Sequence, residues 1–370
     1  MSKVLVGPLG LPALYEDGGK RITTHSMLKA YLSCPKAAQY KYAERLKKKL
    51  LTARDQPLKR GTWVHELLET YYKGDDWKDV HRRNTAKFNK LMDSEKEELR
   101  DLPAECLRMF RSYLWHYGAN TNDPHHGWEV LGTEVTFEAV WPDSEDGNDI
   151  YRCRVDLLVE DQYGLLIVDH KTHKTLPGHT FRVLDAASPL YIWAARESGY
   201  DVRGFLWNYI RTKAPTVPKM VYVGTKREKL SEAVIDTDYP TYARTVKTLG
   251  LDHTAEPIAS KLRNLKAQRW KEGAPQTSTF FQREILEKDD DMISRAIATA
   301  MRTRDRMHND FDDFEVTERN MGRSCDWCTF RNLCTVEMVG GMGDHIRRKE
   351  FRVGDPLDYY QDQKDRSDAS

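Results

Sequence analysis

No run of eighteen consecutive apolar residues occurs in this sequence, so nothing in it reads as a membrane-spanning helix. Neither sign of charge is in surplus: 58 Lys and Arg stand against 57 Asp and Glu. A chain so balanced does not coat nucleic acid through net charge, and any phosphate-binding surface must be local. Cysteine is sparse, with six in 370 residues. No signal peptide is read ahead of them, which argues against a disulfide framework and for a reducing cytoplasm, that of a cell or of a virus's host. The phosphate-cradling pattern G-x-x-x-x-G-K-[ST] is missing, so ATP-driven unwinding would have to come from a helicase or recombination partner. No internal repeat is present. Hydrophobic residues at 39% can support a core, and the length suits one large or two modest domains.

What the chain does have is a pair of carboxylates beside a lysine. The apolar run Leu165-Leu166-Ile167-Val168 ends in Asp169-His170-Lys171. The period-two geometry of a strand puts Asp169 and Lys171 on one face and His170 on the other. Upstream, Tyr151, Cys153, Val155, Leu157 and Val159 alternate with Arg152, Arg154, Asp156 and Leu158. That alternation predicts a neighbouring strand with Asp156 on its less apolar face, and residues 160–164 close the hairpin. Two carboxylates and an ammonium at strand ends can hold Mg²⁺ or Mn²⁺ against a phosphodiester, which makes a bound water a better nucleophile. Lys171 would place a compact positive charge beside that water or the scissile phosphate. A lone D-x-K is more often an ordinary surface ion pair, so the rest of the chain has to decide.

The cysteines supply a second pattern. Cys325, Cys328 and Cys334 form C-x2-C-x5-C, and Cys34-Pro35 stands near the other end of the chain. Four thiolates make a complete ligand set, and by spacing alone zinc, an iron-sulfur cluster or no metal all remain open. Cys106 and Cys153 sit in apolar stretches that suit buried, inert thiols.

Other motifs fall in order between these. Ser26-Met27-Leu28-Lys29-Ala30-Tyr31-Leu32-Ser33-Cys34-Pro35 carries a hydroxyl, an aromatic, a Cys and a Pro at fixed offsets. Gly61-Thr62-Trp63-Val64-His65 reads G-x-x-x-H, and Glu134 lies in Thr133-Glu134-Val135-Thr136-Phe137. With Asp156, Asp169-His170-Lys171 and the late cysteine run, this succession resembles the RecB-like branch of the PD-(D/E)XK nucleases. The resemblance is specifically to members with an iron-sulfur cluster, such as the CRISPR-associated RecB-like exonucleases and the AddB nuclease domain.

That resemblance implies an α/β fold with a restriction-endonuclease-like core, a mixed central sheet flanked by helices. Helical N- and C-terminal parts would be joined by a 4Fe-4S cluster on Cys34, Cys325, Cys328 and Cys334. It implies Asp156, Asp169, Lys171, Glu134 and Tyr191 as catalytic residues. The metal ligands would be His65, Asp156, Asp169 and the backbone carbonyl of His170. The activity implied is that of a metal-dependent deoxyribonuclease. It would act as an exonuclease on single strands or DNA ends, in recombination, repair or phage DNA processing. The sequence departs from the family at one place, where a glutamine usually precedes the tyrosine by four residues. Here that position is Ala187, and Ser188 could partly stand in for it. A nuclease-impaired DNA-binding or recombination subunit is therefore the alternative, and a zinc-stabilised structural protein a third reading.

Trp63, Val64, Leu67, Leu68 and Tyr71 recur at helical spacing, so His65 flanks the buried stripe of an amphipathic helix, where a boundary histidine is the ordinary reading and a ligand the one implied above. Lys47, Lys48, Lys49 and Arg60 belong to a basic stretch between Cys34 and that helix and are candidates for DNA phosphate contacts. A solvated helix face is the alternative there. Residues 204–211 predict a further core strand that delivers Arg211 and Lys213 to the substrate. Residues 75–105 read as an outer helical layer, and 292–307 as a clear helix. The expected organisation is an N-terminal extension over 1–22, a nuclease domain over 23–340 and a tail over 341–370 whose end is polar enough to be disordered.

Overall fold

A computed structural model describes residues 16–17, 19–49, 56–118, 128–176, 178, 180, 183–223, 227–230, 235–269, 278–312 and 318–355. Its centre is a mixed seven-stranded sheet. In chain order the strands are β1 (Glu16–Asp17), β2 (Lys20–Thr23), β4 (Glu129–Val140), β5 (Asp149–Asp161), β6 (Gly164–His173), β7 (Val202–Arg211) and β10 (Phe281–Leu286). A short strand β3 (Leu46–Lys48) pairs with β11 (Phe351–Val353), and β8 (Met220–Val223) with β9 (Arg227–Leu230), as separate ribbons.

The expected hairpin is present: β5 and β6 run antiparallel from Leu157↔Val168 to Asp161↔Gly164. The expected strand over 204–211 is β7, parallel to β6. A parallel neighbour needs a crossover, and the helix Ala187–Glu197 provides one. β10 then adds antiparallel to β7.

The pairing of β5 decides where the site lies. β4 covers one edge of β5 from Ile150 to Glu160. The opposite edge is shared: β2 pairs with Asp149–Tyr151, and β6 joins only from Leu157 onward. Between these two partners the sheet forks, and Asp156 is the residue at the fork.

Apolar residues on the two sheet faces are covered by different helices. On one face Ile167, Phe205 and Trp207 pack with Met27, Leu28 and Tyr31 of the helix His25–Ser33, with the Ala187–Glu197 helix, and with Met307 and Phe311 of the helix Asp290–Asp312. On the other face Leu166, Val168 and Leu206 meet Val64, Leu67 and Leu68 of the helix Gln56–Tyr72 and Cys106, Phe110 and Tyr113 of the helix Leu102–Tyr117. Each fully buried Leu or Phe contributes about 1.5–3 kcal/mol relative to exposure. The charged stretch over 75–105 forms helices Trp77–Asn89 and Asp93–Leu99 outside this second layer. Cys106 and Cys153 are both buried, as their apolar surroundings imply.

Both chain ends carry elements fixed by tertiary pairing. Lys20–Thr23 is a strand of the central sheet, tied to β5. Beyond Gly340 the sequence shows no sustained periodicity, yet Gly343–Glu350 is a helix and β11 pairs with β3. The register comes from tertiary contact: Phe351 stacks on Phe330 at 5.5 Å and joins a small core with Tyr40, Leu46 and Leu333. Residues 361–370 lie outside the described residues.

Candidate active site

At the fork, a cleft of about 610 Å³ is lined by His65, Glu134, Asp156, Asp169, His170, Lys171 and Tyr191. Sequence reasoning named all seven, from five separate segments, and the fold brings them to one place. The ladder between β5 and β6 stops at Leu157↔Val168, and the Asp156 side chain takes over. Its Oδ2 accepts the backbone N–H of His170 at 2.5 Å and its Oδ1 lies 3.1 Å from Nδ1 of His65. Asp169, 4% exposed, is in contact through its carboxylate with the Lys171 ammonium. Lys171 also lies over the Trp207 ring, 5.3 Å from its centroid. His170 points to the opposite face, as period two requires, and stacks on Tyr72.

Glu134 stands beside Asp156 on the paired strand, between the Thr133↔Leu157 and Val135↔Val155 pairs. Its φ of 53° is in the left-handed region, where a Cβ-bearing residue is strained inside a strand. Arg154 Nε holds its Oε2 at 2.8 Å. Burial, then the charge of Asp156, pushes its carboxyl up to about 7. Asp169 is likewise pushed up to about 6, by burial foremost and also by Asp156. For Asp156 burial acts the same way, but His65, His170 and Lys171 outweigh it and hold that carboxyl well below the usual range. Burial, with one ionised carboxylate close by, thus raises two neighbouring carboxyls above their usual range.

Sequence reasoning missed part of the cleft. Glu69 lines it, one helical turn beyond His65, a spacing of four that puts both on one helix face. Arg152 and Arg154 contribute from β5 and His25 from the first helix. Gly61 has a steric role: a Cβ there would stand 3.1 Å from Thr172 Oγ1, so glycine lets the His65 helix approach β6. Ser188, by contrast, is fully buried and outside the cleft lining, and its hydroxyl has no partner among the described residues. It does not take the glutamine's place, because the helix turns position 188 into the core. Tyr191 faces the cleft, edge-on to His25 at 6.3 Å and packed on Phe205.

The basic candidates separate into two groups. Arg60, Arg211 and Lys213 line a second groove next to the cleft. Lys47 and Lys48 lie on β3, and Lys49 Nζ donates to the Arg348 carbonyl, so this trio belongs to the β3–β11 ribbon and not to the groove.

Cys34, Cys325, Cys328 and Cys334 are unpaired as disulfides and half-buried. They are neighbours, since burial and then the charges of Cys34, Cys334 and Cys325 push the Cys328 thiol up. Asn320 Nδ2 donates to the carbonyls of Leu32 and Ser33 and so ties the two ends of the chain here. Among the described residues no three His, Cys, Asp or Glu side chains are arranged as a ready metal site. In the cleft Lys171 contacts Asp169 and His65 contacts Asp156. The donor set there, two aspartates, a glutamate and an imidazole with perturbed carboxyls, suits a hard divalent cation.

A mixed sheet flanked by helices, with acidic residues and a lysine gathered where two strands part, defines a phosphodiester-cleaving class of site. The chain belongs to the PD-(D/E)XK nuclease superfamily, whose family model matches residues 23–335. No curated protein matches the chain. Among solved structures it is similar to a candidate exonuclease from Eubacterium rectale, at 10% identity with a TM-score of 0.38, covering 82% of this chain and 86% of that one. It is also similar to the protein SSO0001, at 10% identity with a TM-score of 0.33, covering 86% and 87%. Likenesses this distant carry no argument about the site, and the family rests on its own match.

Proposed function

We propose that this protein is a metal-dependent deoxyribonuclease that acts as an exonuclease on single strands or DNA ends. The observation that carries the reading is the convergence of Asp156, Asp169, Lys171, Glu134 and His65 in one cleft. Asp156, Asp169, His65 and the carbonyl of His170 would hold Mg²⁺ or Mn²⁺, which supplies polarisation of the phosphate and a lowered pKa for the attacking water. Lys171 presents its ammonium at the cleft and counters charge developing on the phosphate. Asp156 organises the site through both oxygens, fixing the His170 backbone and the His65 ring. Glu134 and Tyr191 border the same space and would orient the reacting phosphate or water.

Cys34, Cys325, Cys328 and Cys334 are assigned to a 4Fe-4S cluster on the shared motif order, as a clamp between distant parts of the chain. The work proposed is recombination, repair or phage DNA processing in a cytoplasm, with a helicase or recombination protein as partner. Ala187 at the glutamine position, with Ser188 buried, is what favours the nuclease-impaired alternative.

Incubation with single- and double-stranded DNA labelled at either end, with Mg²⁺ or Mn²⁺ and with EDTA, tests the reading. Metal-dependent release of label in the order of digestion from an end is the expected result. Binding without cleavage in either metal would establish the impaired subunit instead.

A further inference from the structure

The groove beside the cleft continues away from the catalytic strand. It shares Thr172 and His173, the residues that follow Lys171, with the cleft lining. Over about 820 Å³ its walls carry Arg60, Arg108, Lys174, Arg211, Lys213 and Lys219. Some of this charge is already balanced: Glu105 holds Arg60 at 2.5 Å, and Asp236 holds Arg211 at 2.6 Å and Lys213 at 3.4 Å. Arg108, Lys174 and Lys219 make no ion pair among the described residues. Arg108 Nε is buried without a hydrogen-bond partner.

At its far end the groove opens into a hollow of about 400 Å³, with Arg108, Val217 and Lys219 common to both. The hollow differs in chemistry. Val217, Pro218, Met220 and Leu249 give it aliphatic walls, and Arg108, Lys219 and Arg244 stand among them. Val217 and Leu249 are both more than two-fifths exposed, so these apolar walls face solvent. Unbalanced cations along a groove suit a phosphate backbone, and an apolar hollow between cations suits the face of a base. A duplex keeps its bases stacked inside and can offer only phosphates here, whereas an unpaired strand can offer both.

We propose that the groove and hollow form a binding track for one unpaired DNA strand. Its phosphates would run past Lys174, Arg108 and Lys219, and a base would be seated against Val217 and Leu249. The proposal rests on the nuclease reading for its choice of ligand, and it makes single-strand preference a property of this track and not of the catalytic cleft.

Fluorescence anisotropy in EDTA, with a labelled oligothymidylate of about twenty nucleotides and the corresponding duplex, reads the track without cleavage. Lys174→Glu with Lys219→Glu should weaken oligothymidylate binding by about tenfold or more and flatten the salt slope by roughly 1.4. The charge-matched pair Lys78→Glu with Lys90→Glu, both exposed and outside the groove lining, should change it much less. Leu249→Ala, which removes apolar surface without adding charge, should weaken binding of the single strand and leave the duplex unaffected. Unchanged affinity in the Lys174 and Lys219 variant, or an equal loss in the control pair, overturns the track. Equal losses on both substrates for Leu249→Ala overturn the seated base. Hydrolysis of bis(p-nitrophenyl) phosphate by the unaltered protein with Mn²⁺ is scored separately: its absence counts against the nuclease reading, while the anisotropy still decides the track.

Discussion

Asn208 on β7 donates a 2.7 Å hydrogen bond to Nδ1 of His170, its in-register neighbour on β6. The same amide donates to the Tyr113 hydroxyl at 2.9 Å, which also receives Arg283 at 3.0 Å. With Nδ1 accepting, the ring proton sits on Nε2, and burial holds the imidazole neutral by lowering its pKa to about 3. A buried polar chain thus backs the strand whose next residues face the cleft.

Asn208→Leu removes both hydrogen bonds and leaves His170 Nδ1 buried without a partner, at a cost of about 1–3 kcal/mol. Urea denaturation should show this loss. Nuclease activity should fall as well, because the His170 backbone N–H is the group that positions Asp156.

Asp169→Ala should abolish cleavage while DNA binding in EDTA stays close to that of the unaltered protein, since the phosphate contacts lie elsewhere. Lys171→Ala should be nearly as damaging, and His65→Ala should impair activity more than folding. Cleavage at the original rate by the Asp169 variant, measured with Mg²⁺ or Mn²⁺, would refute the site assignment.

Folding should weaken with acid through His308. Its Nε2 lies 3.3 Å from Thr23 Oγ1, and burial, with Arg21 and Arg304 nearby, lowers its pKa to about 3. In the unfolded chain an imidazole binds a proton near pH 6.5, so between about pH 6.5 and 3 the unfolded state carries the extra proton. Stability from this residue is therefore complete above about pH 6.5 and declines as pH falls toward 3, on the order of a few kcal/mol in all. His308→Gln should flatten that part of the stability–pH curve measured by thermal denaturation.

Cys34→Ala should lower thermal stability and solubility beyond an ordinary surface substitution, and protein purified without oxygen should contain iron and acid-labile sulfide in near-equal amounts. One zinc per chain and no iron would remove the cluster and leave the nuclease reading intact, because the two rest on different residues.

Strands β5 and β6 are legible in the sequence because both alternate or run apolar over a stretch long enough to fix a period, and Asp156 and Asp169 are placed by that alone. The fork is not legible, since it depends on β2 taking part of an edge of β5, a pairing between segments far apart in sequence. The left-handed backbone at Glu134 leaves no trace in composition either. Glu69 was within reach, because a spacing of four from His65 on a helix already gives a shared face. The groove was only partly so: its cations come from separate segments, and the Lys47–Lys49 run of three consecutive cations lies elsewhere.

The ribbon formed by β3 and β11 has a bearing on how the chain is made. Glu44, buried against Arg347, is separated from it by 303 positions. At roughly 5–20 residues per second of synthesis, that is a wait of about 15–60 s between the emergence of one and of the other. Throughout it Tyr40, Leu46 and an unpaired strand edge stand without the Phe330, Leu333 and Phe351 that later cover them. A chain that stops short of Phe351 keeps that edge and those apolar side chains uncovered, because the strand that closes its first small sheet is missing.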